Sequence, residues 1–138
     1  MLIKNKKFLV SLNLNLHSTS TKVPEVVVRL NDTQVDFTKN LEGVFGENVL
    51  SISFLNKHPS DTKLNDHGDI VEDLAVEITK FTVDGQDFTH EIKQQNNYVT
   101  ASGVQQTYGF MHTNGVLTYS FVCPGFYYKR NINILNQE

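Results

Sequence analysis

An alternation of apolar and polar residues with a period of two is the feature that most constrains this chain. From residue 8 to residue 17, one set of alternate positions is wholly apolar, while Ser11, Asn13 and Asn15 occupy the other set. Successive side chains of a strand point to opposite faces, whereas a helix would scatter these residues around its axis. The segment therefore predicts a strand with one face on a core. The apolar positions are Phe8, Val10, Leu12, Leu14 and Leu16.

The same alternation returns in several short segments along the chain. In the last segment, 74–78, the apolar residues occupy even-numbered positions. Apolar residues then continue at the odd-numbered positions 81 and 83, so the alternation changes parity. An extra residue in one strand of a pair produces such a change, so the sequence predicts a β-bulge near Thr79-Lys80. The repeated segments are 26–30, 50–54 and 74–78.

Two dipeptides predict tight turns, Asp84-Gly85 and Asn114-Gly115. Both central residues of such a hairpin turn need a positive φ, which Asp, Asn and Gly adopt most readily. We expect the first turn to return the chain into a strand at 88–92. We expect the second to join strands at 108–112 and 116–122.

Several short strands, two tight turns and no convincing helix predict an all-β fold, a single antiparallel β-sandwich of the jelly-roll type. The length of 138 residues fits one domain spanning 1–138. Residues 32–47 predict a short strand and a loop. Residues 129–138 predict either a final edge strand or a flexible tail.

Composition argues against several classes of partner. The net charge is −3 and no basic stripe is present, which predicts no nucleic-acid partner. No stretch approaches the roughly 20 apolar residues of a membrane-spanning helix, which predicts no membrane insertion. Cys123 is the only cysteine, so no internal disulfide forms, and assembly in a reducing cytosol is expected.

The sequence contains no nucleophile elbow, phosphate-binding glycine loop or zinc-binding histidine pair, and it predicts a non-enzyme. Cys123 and His112 are a conceivable nucleophile and base across the last predicted hairpin. The alternation favours Cys123 as a small core residue instead. Paired carboxylates also permit glycoside hydrolysis, which is the weakest of the alternatives.

Residues 56–73 are rich in acidic and amide side chains. Ca²⁺ takes roughly six to eight oxygen ligands from carboxylates, amides and carbonyls of flexible loops. The segment therefore predicts a calcium site, and the alternative is a solvated loop in which Asp and Asn form turns. The candidate ligands are Asn56, Asp61, Asp66, Asp69 and Asp73.

Aromatic residues cluster towards the C-terminus. Alternation places Phe110, Tyr119 and Phe121 in the core as cross-strand neighbours. Three consecutive aromatic residues cannot all face one core, so the run that follows predicts a surface for a partner or ligand. That run is Phe126, Tyr127 and Tyr128.

Three segments, Ser51–Asn56, Asp73–Ile78 and Val83–Gly85, resemble the calcium-dependent xylan-binding modules. The resemblance implies a jelly-roll sandwich in which loop carboxylates hold a calcium ion that ligates sugar hydroxyls. Asn56 and Asp73 correspond best to the motifs of that family. Lys57 stands where the family has Asp.

A second resemblance covers residues 48–128 and is to small β-sandwich modules in structural proteins of marine tailed phages. It is carried by Asp61-Thr62, by the Gly68–Asp73 segment, by Gly109 through Asn114-Gly115, and by Phe121 with Pro124 to Tyr127. The resemblance implies a virion protein.

Together these observations predict a non-catalytic virion structural or accessory protein, such as a capsid decoration protein or a tail or fibre module, assembled in the host cytoplasm. Its expected partners are other virion proteins, further copies of itself, and surface carbohydrate. The alternative hypothesis is a calcium-dependent carbohydrate-binding module. A glycoside hydrolase using the same carboxylates is a third.

Overall fold

The computed structural model describes residues 7–94 and 97–123. Strands make up more than half of this part of the chain, and its α-helix has five residues, which confirms the predicted all-β antiparallel sandwich. The jelly-roll connectivity and the single domain spanning 1–138 stay predictions, and residues 129–138 lie outside the described residues. The elements are β1 Phe8–His17, β2 Val26–Leu30, β3 Thr33–Val35, β4 Leu41–Gly43, β5 Gly46–Phe54, β6 Lys63–Leu64, β7 Ile70–Glu72, β8 Ala75–Val83, β9 Gln86–Asp87, α1 Thr89–Lys93, β10 Tyr98–Thr100, β11 Gly103–Gln105, β12 Phe110–Met111 and β13 Gly115–Cys123.

Two antiparallel sheets form the sandwich. The first, here called the β8 sheet, has the order β12-β8-β1-β4, with β9 paired to β8. The second, the β13 sheet, has the order β11-β10-β13-β5-β2-β3. A small hairpin of β6 and β7 lies outside both sheets. Within the described residues, no helix is long and apolar enough to cross a bilayer.

The core lies between the apolar faces of the two sheets. Phe8, Val10 and Leu12 of β1 are at most 2% exposed, as their alternation predicts. The ring of Phe81 in β8 meets the rings of Tyr119 and Phe121 in β13 edge-on, with centroids 5.7 and 5.4 Å apart. Full burial of one such apolar side chain stabilises the fold by roughly 1.5–3 kcal/mol.

The predicted bulge is present in β8. Asn13 pairs with Lys80 and Leu14 pairs with Ile78, so Thr79 is the extra residue. The hydroxyl of Thr79 donates to the carbonyl oxygen of Asn13 at 3.0 Å. Because the bulge shifts the parity by one, Ile78 and Phe81 both face the core at 0% exposure.

The Asp84-Gly85 turn is confirmed, with φ of 49° and 79°, but the strand predicted at 88–92 is wrong. The chain forms the short helix α1 there. Phe88 and Ile92 lie four residues apart, and one helical face brings both into the core at 6% and 1% exposure. The Asp87 carboxylate accepts a hydrogen bond from the backbone N–H of Thr89 at 2.8 Å, which supports the start of the helix.

The hairpin predicted at Asn114-Gly115 is also wrong, because the strands on either side belong to different sheets. β12 pairs with β8, whereas β13 pairs with β5 and β10. The tight turn lies earlier, where Tyr108 and Gly109 have φ of 54° and 84° and Phe110 donates to the Thr107 carbonyl at 3.0 Å. The strand at 108–112 is accordingly reduced to two residues.

Gly115 has a different role from the one its dipeptide predicts. A Cβ at this position would lie 2.6 Å from the carbonyl oxygen of Val99 and 2.8 Å from Cζ of Tyr98. Glycine is therefore needed for the close approach of β13 to β10.

Residues 32–47 contain two short strands and the first residues of β5, where a short strand and a loop were predicted. β3 extends the β13 sheet, and β4 lies at the edge of the β8 sheet. Asn48 follows this region and is fully buried, and it is hydrogen-bonded through both side-chain atoms. It satisfies the backbone of Val44 and Gly46 at the end of the sandwich where β5 begins.

We expect Gly115→Ala to lower the free energy of unfolding by roughly 1–3 kcal/mol, because the added methyl group overpacks the contact with Tyr98. Chemical denaturation measures the change. Ser120→Ala, at an exposed position of the same strand, is the control and should change it by less than about 0.5 kcal/mol. Equal stability of Gly115→Ala and the control would contradict the packing role of Gly115.

Candidate functional site

The 56–73 segment lies at the end of the sandwich where β5 ends and β8 begins. It consists of a 3-10 turn at Pro59–Asp61 followed by the β6–β7 hairpin. At the tip of this hairpin, the Asn65 side-chain oxygen accepts from the backbone N–H groups of His67 and Asp69 at 2.9 and 3.0 Å. The local Asp and Asn residues therefore do form turns, as one of the two readings of this segment predicted.

Two of the predicted calcium ligands hold the segment against the chain that precedes β2. The Asn56 side chain accepts from the Glu25 N–H at 2.7 Å and donates to the Val23 carbonyl at 3.0 Å. Asp61 accepts from the Lys22 ammonium at 2.8 Å and from the His58 N–H at 2.7 Å. The hydrogen bond from Lys22, followed by the one from His58, holds the pKa of Asp61 below its ordinary value.

Asp73 forms an ion pair with Lys57 at the base of the segment. One oxygen of its carboxylate accepts from the Lys57 ammonium, from the Thr62 hydroxyl at 2.7 Å and from the Leu74 N–H at 2.9 Å. The same ammonium donates to the Leu74 carbonyl at 2.6 Å. The Lys57 side chain is only 8% exposed and the Asp73 side chain 22%.

Opposing effects act on the pKa of Asp73. Burial raises it, while the hydrogen bonds from Lys57 and Thr62, the charge of Lys57 and the Leu74 N–H lower it. The lowering effects are larger in sum, and the pKa lies below its ordinary value. Asp73 is therefore an ionised carboxylate whose charge the protein itself compensates.

The structure does not bring the five predicted calcium ligands together. Asp66 and Asp69 are exposed on the hairpin, whereas Asn56, Asp61 and Asp73 are engaged in the hydrogen bonds described above. Among residues 7–94 and 97–123, no group of three or more His, Cys, Asp or Glu side chains is placed to hold a metal ion. As placed, the described side chains do not fit a calcium ion.

A cleft of about 430 Å³ lies beside the Lys57–Asp73 pair. It is bounded by the first part of the 56–73 segment, by the β10–β11 turn and by the link from β12 to β13. Seven of the ten residues that line it carry a hydroxyl, amide or imidazole group, and we call it the hydroxyl-lined cleft. The lining residues are Lys57, Pro59, Thr62, Thr100, Ala101, Ser102, Gln105, His112, Thr113 and Asn114.

Hydrogen bonds fix the shape of this cleft. The Asn114 side chain accepts from the Lys57 N–H at 2.6 Å and donates to the Lys57 carbonyl at 2.9 Å. The hydroxyl of Tyr98 donates to the Thr113 carbonyl. Tyr98 is fully buried, and burial raises its pKa, which keeps the hydroxyl protonated as a donor.

A second cleft of about 330 Å³ lies on the outer face of the β8 sheet, and we call it the Phe110 cleft. The prediction that Phe110 belongs to the core is wrong, because its side chain is 38% exposed, whereas Tyr119 and Phe121 are buried as predicted. The Phe110 ring lies 5.3 Å from the His17 ring and 6.3 Å from the His112 ring. The residues lining the Phe110 cleft are His17, Ser18, Ile70, Val71, Glu72, Asp73, Ala75 and Phe110.

Sequence reasoning missed both clefts. The sequence predicts Phe110 in the core because it pairs the strand at 108–112 with 116–122, whereas the strand that contains Phe110 pairs with β8. The Lys57–Asp73 pair was missed because its members are 16 residues apart in the chain.

Two further predictions concern the Cys123–His112 pair and the aromatic run at 126–128. Cys123 pairs with Gly46 at one end of β13, whereas His112 precedes the other end, so the two do not meet. Cys123 is 1% exposed, and burial raises the pKa of its thiol to about 11. Cys123 is the core residue that the alternation favoured. Phe126, Tyr127 and Tyr128 lie outside the described residues, and their role stays a prediction.

Two solved structures are similar to this chain at low sequence identity. No family profile matches the sequence, and no curated protein matches it. The chain is similar to a solved structure described as vCBM60 in complex with galactobiose, with a TM-score of 0.48 and 12% identity over 81% of this chain and 96% of that one. It is also similar to a selenomethionine form of vCBM60, from work on two families of calcium-dependent carbohydrate binding modules, with a TM-score of 0.47 and 12% identity over 83% and 90% of the two chains.

We expect Asp73→Asn to lower the free energy of unfolding at pH 7 by about 3 kcal/mol, because it leaves the buried Lys57 ammonium without its counter-charge. A carboxylate with a lowered pKa stabilises the fold above its unfolded-state pKa and loses that effect on acidification. The difference from the wild type should therefore shrink below about pH 4.

Denaturation at a series of pH values measures this difference. Asp66→Asn, at an exposed position of the same segment, is the control and should match the wild type at every pH. A pH-independent deficit in Asp73→Asn would show that the ion pair is not its cause.

Proposed function

We propose that this protein is a non-catalytic carbohydrate-binding module whose ligand occupies the hydroxyl-lined cleft. The observation that carries the proposal is the chemistry of that lining. A sugar is a neutral molecule with many hydroxyl groups, each of which both donates and accepts hydrogen bonds. Thr100, Ser102, Gln105 and Asn114 offer neutral donors and acceptors of the same kind.

The charge of the cleft also favours a neutral ligand. None of the residues that line it is Asp or Glu, and the ammonium of Lys57 is paired with Asp73. A charged ligand would lose its hydration without gaining an unpaired opposite charge, which is unfavourable in a partly enclosed site. A neutral polar ligand has no such cost.

The aromatic residues beside the cleft supply the second kind of contact that sugars make. His112 lines the hydroxyl-lined cleft, Phe110 lies beside it, and His17 follows on the outer face of the β8 sheet. The C–H face of a sugar ring is apolar and packs well against an exposed aromatic ring. The row His112, Phe110 and His17 therefore offers a stacking surface that continues from the cleft.

The fixed geometry of the cleft favours affinity. The reciprocal hydrogen bonds between Asn114 and Lys57 and the hydroxyl of Tyr98 already hold the loops in place. Binding then orders few additional groups, so less of the interaction free energy is lost to conformational entropy. A volume of about 430 Å³ lies within the roughly 300–1,000 Å³ range of small-molecule sites.

The carboxylates at these clefts are poorly suited to glycoside hydrolysis. A general acid needs a raised pKa so that it keeps its proton near neutral pH. The pKa of Glu72 is lowered by hydrogen bonds from the Ser20 N–H and from Lys63, and that of Asp73 is lowered as well. Both carboxylates are therefore ionised rather than proton-donating.

The virion role and the location in a virion stay predictions. No contact among residues 7–94 and 97–123 bears on assembly with other virion proteins or with further copies of the chain. Carbohydrate binding is compatible with a virion role and with a location in a virion, because proteins on the surface of a particle can contact glycans through such a cleft.

We expect Gln105→Ala and Phe110→Ala each to weaken glycan binding by about five- to tenfold, through loss of a hydrogen bond and of a stacking contact respectively. Screening on a glycan array, which includes galactobiose and xylan oligosaccharides, identifies the probe. Isothermal titration calorimetry then measures the dissociation constant for each variant.

Phe45→Ala is the matched control, because Phe45 is 40% exposed and Phe110 is 38% exposed. Phe45 precedes β5 at the opposite end of the sandwich from the 56–73 segment. Its replacement should leave the dissociation constant unchanged. Failure to bind any glycan, or equal weakening by Phe45→Ala, would contradict the proposed site.

A further inference from the structure

We infer that the Lys57 ammonium supplies the positive charge that the 56–73 segment needs beside Asp73. The segment therefore keeps its structure without a bound divalent metal ion. The inference does not depend on the proposed carbohydrate binding, because it concerns the stability of the unliganded protein.

The ammonium has oxygen partners of the same chemical types that a hard metal ion takes. An ammonium has three donors and no acceptor, so it needs oxygen partners, as Ca²⁺ does. Lys57 finds them in the Asp73 carboxylate and the Leu74 carbonyl. Thr62 and the Leu74 N–H add further donors to the same carboxylate oxygen. One Asp73 carboxylate oxygen and the Leu74 carbonyl are therefore already engaged by groups of the chain.

The chain supplies a lysine for each inward-facing carboxylate of the segment. Lys57 pairs with Asp73, Lys22 pairs with Asp61 at 2.8 Å, and Lys63 pairs with Glu72 at 3.2 Å. These pairs compensate the negative charge that would otherwise favour a divalent cation.

Calcium would have to displace the Lys57 ammonium to take the Asp73 oxygen that it contacts. The Lys57 side chain is 8% exposed, and displacement would either leave its ammonium buried without its partner or force it into solvent. Because it is tethered to the same segment, its effective concentration at Asp73 is high, and a free ion competes poorly with it.

The first experiment is a thermal melt of the wild-type protein in millimolar CaCl₂ and in EDTA. We expect the two melting temperatures to agree. A calcium site saturated about a hundredfold above its dissociation constant would raise the melting temperature by roughly 4 °C or more. A rise of that size in the wild type would overturn the inference.

The second experiment removes the Lys57 ammonium. Lys57→Asp removes the ammonium and adds a carboxylate at position 57, so that its oxygens, the Asp73 carboxylate and the Leu74 carbonyl are available to a metal ion. We expect a lower melting temperature in EDTA and a calcium-dependent recovery of at least several degrees. Lys57→Met is the matched control, since it loses the ammonium without gaining an oxygen, and calcium should not restore it.

Each result for the Lys57 variants either supports or contradicts the inference. A folded Lys57→Asp protein that shows no calcium response would overturn the claim that Lys57 holds a cation position. If Lys57→Asp does not fold, Lys57→Asn takes its place, because its amide offers an oxygen without a second negative charge. Equal recovery of Lys57→Met by calcium would also count against the inference, because it would place the ion elsewhere.

Discussion

The Lys57–Asp73 ion pair is the interaction on which the candidate site depends. It joins a residue shortly after the end of β5 to a residue shortly before the start of β8, and so closes the 56–73 segment onto the sandwich. Lys57 lines the hydroxyl-lined cleft and Asp73 lines the Phe110 cleft, so the pair lies between the two. A change at either residue is therefore expected to alter both clefts and the stability of the loop together.

The β-sandwich itself was predictable from local pattern. The alternation in β1 places Phe8, Val10 and Leu12 on the core, and the change of parity in β8 marks the bulge at Thr79. Both signals arise because a strand presents successive side chains to opposite faces, which is a property of neighbouring residues. Helix α1 was missed because the spacing of Phe88 and Ile92 carries a helical signal over only five residues.

The candidate site was less predictable, because it depends on which strands become neighbours. Phe110 faces outward since β12 pairs with β8, and no local pattern distinguishes that partner from the next strand along the chain. Gly115 belongs to a dipeptide typical of turns, yet its glycine serves a close contact with Tyr98. The acidic composition of 56–73 suggested calcium, because composition does not show that Lys22, Lys57 and Lys63 fold back onto the carboxylates.

Crystals of the wild-type protein grown in calcium would test the central claim most directly, through anomalous diffraction collected at a wavelength where calcium scatters strongly. The account predicts density for the Lys57 ammonium in contact with Asp73 and no anomalous peak beside that carboxylate. An anomalous peak about 2.3–2.6 Å from an Asp73 oxygen, with Lys57 turned away, would contradict it.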